Sequence, residues 1–364
     1  MTQHTTRKLS FTAIPARRRR AAFACGVLVL AAVATGSKVA TADEGGVSFW
    51  VPGLFGSLAA TPQQPGWTLA TIYYHTSVSA GADVAFARQV GPGGIKVPFT
   101  GNLSARLDAD ADLGFVIPGY VFATPVLGGQ AAVALLVPFG RNKVSVDATL
   151  TGSLGPFGFD ISRGRTESVS GFADLAPQAS LRWNFGLHNW MTYITGDVPV
   201  GSYNSKSIAN LGIGHGVVDV GGGYTYFNPQ TGHEFSAVLG FSYNLKNPDT
   251  QYQNGVDMHL DWGASQFLTK QWQVGLVGYF YNQISCDSGS GDRVGCFESR
   301  VIGVGPQIGY VFPIGTEHQG YLNLKGYKEF DAGHRPEGWN AWLTFAISSA
   351  AAPPPTQSKR MIVK

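Results

Sequence analysis

Charge is scarce in this chain, at 13% of 364 residues. A nucleic-acid-binding surface concentrates Lys and Arg well beyond that, so nucleic acid is not an expected partner. Cysteine is scarcer still, with three in all, which excludes a disulfide-dense scaffold. Outside the N-terminal segment discussed below, no run of 18 apolar residues occurs, so the mature chain has no expected transmembrane helix. No helix-period segment runs beyond two turns. Motifs of catalysis are missing as well: there is no G-x-S-x-G elbow and no H-E-x-x-H pair. The G-x-G stretches within 212–216 and 303–305 lack a strand–turn–helix setting, so they cradle no phosphate. Without a nucleotide site, no energy coupling is evident and no cofactor is implied.

Glycine, by contrast, is abundant at 48 residues, and aromatics make up 12%. Neither favours helix. The N-terminus reads as an export signal. Arg7, Lys8 and Arg17 to Arg20 form a basic start, residues 21–35 an apolar core, and Ala40-Thr41-Ala42 an A-x-A end, which predicts cleavage after Ala42. The alternative, a retained membrane anchor, is disfavoured by the short core. Cys25 opens that core instead of closing it, which argues against a lipoprotein. Seven of the 26 Lys and Arg lie in residues 1–42, which hold no acid; the remaining 19 face 23 acids, a net charge of −4 for the mature chain.

A period of two dominates the rest. In residues 271–285, Trp272, Val274, Leu276, Phe280 and Ile284 share one face, while Gln273, Tyr279, Tyr281 and Gln283 share the other. Twelve such stretches are predicted, near 66–76, 102–122, 130–149, 168–185, 189–200, 217–227, 233–245, 255–268, 271–285, 299–312, 319–330 and 337–348, with fourteen strands the nearest alternative. Their connections alternate between short ones, such as 186–189 and 228–232, and longer Gly/Asn/Ser-rich ones, such as 153–165 and 201–216. Short turns at one end and long loops at the other are the layout of an outer-membrane β-barrel, with both chain ends in the periplasm.

A soluble sandwich would share the period. The polar face decides between them, because it carries charge in mid-strand: Asp174, Arg182, Asp197, Asp219, Asp257, His259, Asp261, Lys325 and Glu329. Charge is tolerated in a wet lumen, whereas Arg or Lys toward lipid at mid-depth costs about 2–4 kcal/mol. Trp272, Leu276 and Phe280 are therefore expected to face lipid, and Gln273, Tyr279 and Gln283 the lumen. By the same rule the face bearing Arg106, Asp108, Asp110 and Asp112 should line the lumen, with Arg182 or Lys325 across the pore.

The fold class is thus all-β, an antiparallel transmembrane barrel over 66–349 in the bacterial outer membrane, with a flexible tail at 350–364. Residues 43–65, DEGGVSFWVPGLFGSLAATPQQP, precede the first strand; they are apolar and aromatic yet too short to span. They are expected to fold into the lumen as a plug or gate, the alternative being a turn on the periplasmic rim. Cys286 and Cys296 bracket a Gly/Ser/Asp-rich loop and are expected to pair, since a metal site would need more ligands nearby. His259 stands between Asp257 and Asp261 on one strand face, a setting that holds an imidazolium; a charge network keeping the pore wet is the preferred account. The expected solute path runs by Phe49, Trp50, Leu54, Phe55, the 106–112 face, Arg182, His259, Tyr279, Tyr281, Lys325 and Glu329, with no catalytic group and no metal.

The pieces HLDWGASQFLTKQWQVGLVGYFYNQIS, DSGSGD, VIGVGPQIGYVFP, GYLNLKGYKEF and RPEGWNAWLTFAI, between His259 and Ile347, resemble the bacterial meta-pathway phenol-degradation-like family of outer-membrane transporters. FWVPGLFGSLAATPQQPGW (49–67) is similar to that family's N-terminal pattern. The resemblance implies passive uptake of small aromatic or other hydrophobic compounds, with outer-membrane lipid and the barrel-assembly machinery as partners. A likeness to the long-chain fatty-acid channel superfamily implies the luminal N-terminal segment. The chain departs from many barrels in not ending on an aromatic residue: SAAAPPPTQSKRMIVK follows the last strand, so Trp342 to Ile347 would serve as an internal assembly signal. Two readings from other classes remain: a hydrolase using a luminal or rim histidine, and a surface-binding barrel that transports nothing.

Overall fold

The computed structural model describes residues 48–81, 101–154, 157–292, 295–296, 298 and onward to 350. The expected export signal, most of the loop after the first strand, residues 43–47 of the expected plug segment and residues 351–364 lie outside the described residues. Thirteen strands follow in order: β1 (Gly66–Ala80), β2 (Gly101–Val121), β3 (Gln130–Leu154), β4 (Phe157–Phe172), β5 (Ala176–Phe185), β6 (His188–Asp197), β7 (Val217–Phe227), β8 (His233–Asn244), β9 (Asp257–Phe267), β10 (Trp272–Gln283), β11 (Arg300–Ile314), β12 (His318–Gly333) and β13 (Glu337–Ser349).

Each strand pairs antiparallel with the next in sequence, except that β5 pairs β3 in place of β4, and β1 pairs β13, which closes the sheet into a barrel. Twelve positions go around the ring. The thirteenth strand arises because β4 and β5 are successive segments along one edge of β3: Gln130 to Leu136 pair β5, and Phe139 to Leu154 pair β4. The predicted stretch 168–185 is thus broken between Phe172 and Ala176. At the break, Asp174 accepts the backbone N–H of Gly201 at 2.7 Å and of Ile213 at 2.7 Å, which ties the wall to the β6–β7 loop. Of the predicted long loop at 153–165, residues 153–154 end β3 and residues 157–165 belong to β4, which pairs with it. Thr, Ser and Ile within 160–166 sustain the ladder there.

Alternation sorts the two faces of the wall. In β10, Trp272 and Leu276 are 44% and 54% exposed on the outside, whereas Gln273, Tyr279 and Gln283 are buried inside. In β8, Phe235, Leu239, Phe241 and Tyr243 face out, and Glu234, Ser236, Ser242 and Asn244 face in. Trp67 packs on Tyr120 and Tyr120 on Phe122, an aromatic cluster at the rim where β1 begins, as expected of an interfacial girdle.

Strand β2 is a correction. Leu107 and Phe115 are buried inward, Phe115 against Trp342, so Arg106, Asp108, Asp110 and Asp112 point outward and do not line the lumen. Their partners are neighbours on the same outer surface: Asp112 accepts from Tyr73 Oη at 2.6 Å and sits 2.7 Å from His75 Nδ1, and Arg106 pairs with Asp108. The cause is strand length. β2 has 21 residues, about twice the 9–11 needed to span. Its upper half rises past the bilayer, where the outer face meets water and charge there is harmless. The inner face, Leu107 with Val144 and Val146, packs on Ile208 and Ala209 of the β6–β7 loop.

Candidate functional site

The site is a segment of chain held inside the barrel. From Ser48 the backbone turns at Val51, whose carbonyl accepts Leu54 N–H at 3.2 Å, and again at Leu58, whose carbonyl accepts Thr61 N–H at 3.1 Å. Gly53 has φ of 90°, and a Cβ there would come to 3.0 Å from the Tyr327 ring, so only glycine makes this turn against this wall.

Two charged residues of the wall grip the turn. Asp261 on β9 accepts Gly53 N–H at 2.9 Å and Phe55 N–H at 3.1 Å. Lys325 on β12 donates to the carbonyls of Gly53 at 2.5 Å, Phe55 at 3.1 Å and Leu54 at 3.4 Å. The ammonium also lies 5.1 Å from the centre of the Trp342 ring. Both side chains are buried, so these bonds form away from water and each strengthens accordingly. Further along, Glu234 accepts Leu58 N–H at 2.9 Å, Thr225 Oγ1 accepts Ala60 N–H at 3.0 Å, and Gln307 donates to Ser57 Oγ at 2.6 Å. Gln130 exchanges two bonds with the backbone of Gln63 near the rim. Every one of these partners comes from a different strand or a different turn of the ladder. The inward faces of β3, β7, β8, β9, β11 and β12 thereby share one length of chain.

The apolar side chains of the segment split into two directions. Val51 and Leu54 pack on a cluster of Ile72, Tyr74, Val277, Tyr279, Tyr327 and Trp342. Phe55, Ala59 and Ala60 pack on Met191, Tyr193 and Val238. Trp50 lies flat on the His259 imidazole, with ring centres 3.7 Å apart and planes 13° apart, and also neighbours Phe55 at 5.6 Å. His259 Nε2 is 2.8 Å from Asp219 Oδ2, an oxygen that Ser242 Oγ also approaches at 2.5 Å. The histidine is therefore oriented by Asp219 on β7, a residue two strands away, and not by Asp257 or Asp261 beside it. Tyr279 Oη donates to Glu329 at 2.7 Å and accepts from Asn340 at 2.8 Å, a second polar knot on the far side.

Of the residues expected along a solute path, Trp50, Leu54, Phe55, His259, Tyr279, Tyr281, Lys325 and Glu329 come together inside. Phe49 is half-buried at the start of the segment. Arg182 stays near the short-turn rim, bonded to Ser180 at 2.7 Å, and meets no acid of β2. Lys325 likewise grips backbone carbonyls and not the acids of β2. Sequence reasoning missed the grip itself: Asp261 and Lys325 were legible as luminal charges, but their partners are peptide groups, which carry no side-chain signature. Glu234 and Thr225 were missed for the same reason, and Gln307 because its partner, the Ser57 hydroxyl, lies 250 residues away in the chain. Cys286 and Cys296 are joined by a disulfide in the β10–β11 loop.

Comparison with solved structures places the fold. The chain is similar to the COG4313 outer membrane channel of Pseudomonas putida, with a TM-score of 0.58, 15% identity, and coverage of 79% of this chain and 98% of that one. A FadL homologue of Pseudomonas aeruginosa is a weaker neighbour, at a TM-score of 0.39 and 9% identity over 85% of this chain and 97% of that one. No curated protein matches by sequence. The family model described as the MetA-pathway of phenol degradation matches residues 75–345. The match spans most of the chain and nearly all of the barrel; the chain is an outer-membrane β-barrel and belongs to that family.

Proposed function

We propose that the barrel is a passive channel for small hydrophobic or aromatic compounds, and that residues 48–61 are its gate. The observation that carries this reading is the two-sided seat of the segment. Its backbone is held by removable polar bonds to Asp261 and Lys325, while its side chains lie between two apolar, tyrosine-rich surfaces. A ring-shaped solute makes the same kind of contact with those surfaces as Trp50 and Phe55 do, so it competes with the segment for the same space. Polar walls alone would suit a hydrophilic pore; the aromatics turned inward at Tyr74, Tyr279, Tyr281, Tyr327 and Trp342 favour an apolar cargo. Family membership agrees with a transport role.

The hydrolase reading is the weaker one. An Asp219–His259 pair exists, but Ser242 bonds the carboxylate and not the imidazole, and Trp50 covers the ring face. Nδ1 of His259 meets no hydroxyl among the described residues. A nucleophile poised for general-base activation would sit within hydrogen-bond reach of that ring. The direct test is uptake of radiolabelled phenol by intact cells whose outer membrane contains or lacks this protein. Faster entry with the protein, without added energy source, supports the channel; equal entry overturns it.

A further inference from the structure

Arg335 sits in the β12–β13 connection, residues 334–336, on the side of the long loops. Its guanidinium carbon is 4.7 Å from the centre of the Tyr281 ring, which fixes the plane of the group from beneath. Its Nε and Nη1 are covered by protein and have no hydrogen-bond partner among the described residues. No ion pair to Arg335 occurs among them either. An arginine stays charged in any protein setting. Those two nitrogens are closed off from solvent, so a solute can meet the group only at its remaining nitrogen, Nη2, which shares the delocalised charge.

A crevice of about 290 Å³ lies beside it, lined by Ser79, Ala80, Ala332, His334, Glu337 and Arg335 itself. Ala80 and Ala332 give it two small apolar walls. His334 Nδ1 donates to the Glu298 carbonyl at 3.0 Å, since a carbonyl only accepts. Glu337 accepts Ala332 N–H at 3.2 Å, which occupies part of its carboxylate. The volume is near the lower end of those that hold small organic molecules.

We propose that this crevice is a capture site, at the outer mouth of the barrel, for small carboxylates on an apolar body. Arg335 takes the carboxylate, the Ala80 and Ala332 walls take the body, and Glu337 rejects solutes carrying more than one negative charge. The proposal rests on the channel reading and names a solute class for its entrance.

The test uses the full mature protein in detergent micelles, with benzoate as the probe and benzyl alcohol as its uncharged counterpart, followed by titration calorimetry. Saturable benzoate binding at least tenfold tighter than benzyl alcohol is expected. Arg335→Gln should weaken it tenfold or more, Arg335→Lys only a few-fold, and Glu337→Gln should tighten it. Heat-modifiable gel migration reports that each variant is folded. Equal binding of the two probes, or wild-type binding by folded Arg335→Gln, overturns the proposal. If Arg335→Gln does not fold, Glu337→Gln decides, and unchanged affinity there counts against the site. Entry of benzoate into proteoliposomes separates the two readings. Binding without entry leaves the capture site standing and removes the channel; entry without measurable binding does the reverse.

Discussion

Replacing Lys325 with methionine keeps the length and apolar body of the side chain and removes only the ammonium. That ammonium donates to three consecutive carbonyls, of Gly53, Leu54 and Phe55, inside the barrel. A hydrogen bond to a charged group contributes about 1.5–3 kcal/mol net. The Leu54 contact is long at 3.4 Å and counts for little. Two effective bonds, discounted for water entering in place of the ammonium, leave a loss of about 3 kcal/mol for the seated segment. At about 1.4 kcal/mol per factor of ten, the ratio of seated to displaced segment falls about 100-fold. Asp261 grips the N–H groups of the same turn, so adding Asp261→Ala to the first change should cost less than the two changes made separately. Single-channel recording in planar bilayers reads the ratio as open time. Lys325→Met should open more often and for longer. A folded variant with wild-type open time, and with residues 48–61 equally protected from protease, would refute the idea that these bonds hold the gate.

Other expectations follow from the same seat. Trp50→Ala removes the stack on His259; losses of about 3–5 kcal/mol are usual for a buried Trp truncation, so open time should rise at least as much as for Lys325→Met, again in planar bilayers. Gly53→Ala puts a Cβ against the Tyr327 ring at a positive φ, and Tyr327→Ala in the same chain should restore closure only in part, because the backbone strain remains. Serine at both Cys286 and Cys296 should leave the barrel folded, since closing so short a loop contributes at most about 2–3 kcal/mol; a loss of heat-modifiable migration would contradict this. Burial holds the Asp287 carboxyl in the same loop above the usual carboxylate range. A raised folded value means the protonated form is favoured on folding, so the loop gains stability below the unfolded value and loses it as pH rises through the folded one. Proteolysis of this loop should be slower at pH 4 than at pH 7, and Asp287→Asn should abolish that difference.

Much of the barrel was legible because a period of two needs only one sequence. Trp272 against Gln273, or Phe235 against Glu234, declares both the strand and its faces. The phase of β2 was not legible, because the argument that charge avoids the outer face holds only where that face meets lipid. Asp110 and Asp112 lie on a strand that outruns the bilayer, and nothing local marks the height at which lipid ends. The break between β4 and β5 was hidden for a similar reason. Asp174 there bonds the N–H groups of Gly201 and Ile213 from a distant loop, and such a pairing is a property of the closed ring. Within the site, aromatic and glycine content pointed to residues 43–65. Their partners Glu234, Thr225, Asp261, Gln307 and Lys325 are spread over some hundred residues of chain, and only the barrel's closure brings them to one turn.

The central claim is that residues 48–61 move to let solute pass. Ser57 Oγ and Ser265 Oγ are 3.4 Å apart across the seat, close enough for a Ser57→Cys, Ser265→Cys pair to be oxidised into a bridge, in a chain where Cys286 and Cys296 are serine. Phenol uptake by intact cells carrying this variant, measured oxidised and then reduced, tests the claim most directly. The account predicts that entry falls to the level of cells without the protein when the bridge forms, and returns on reduction. Equal uptake in both states would contradict it and leave the segment a fixed part of the wall.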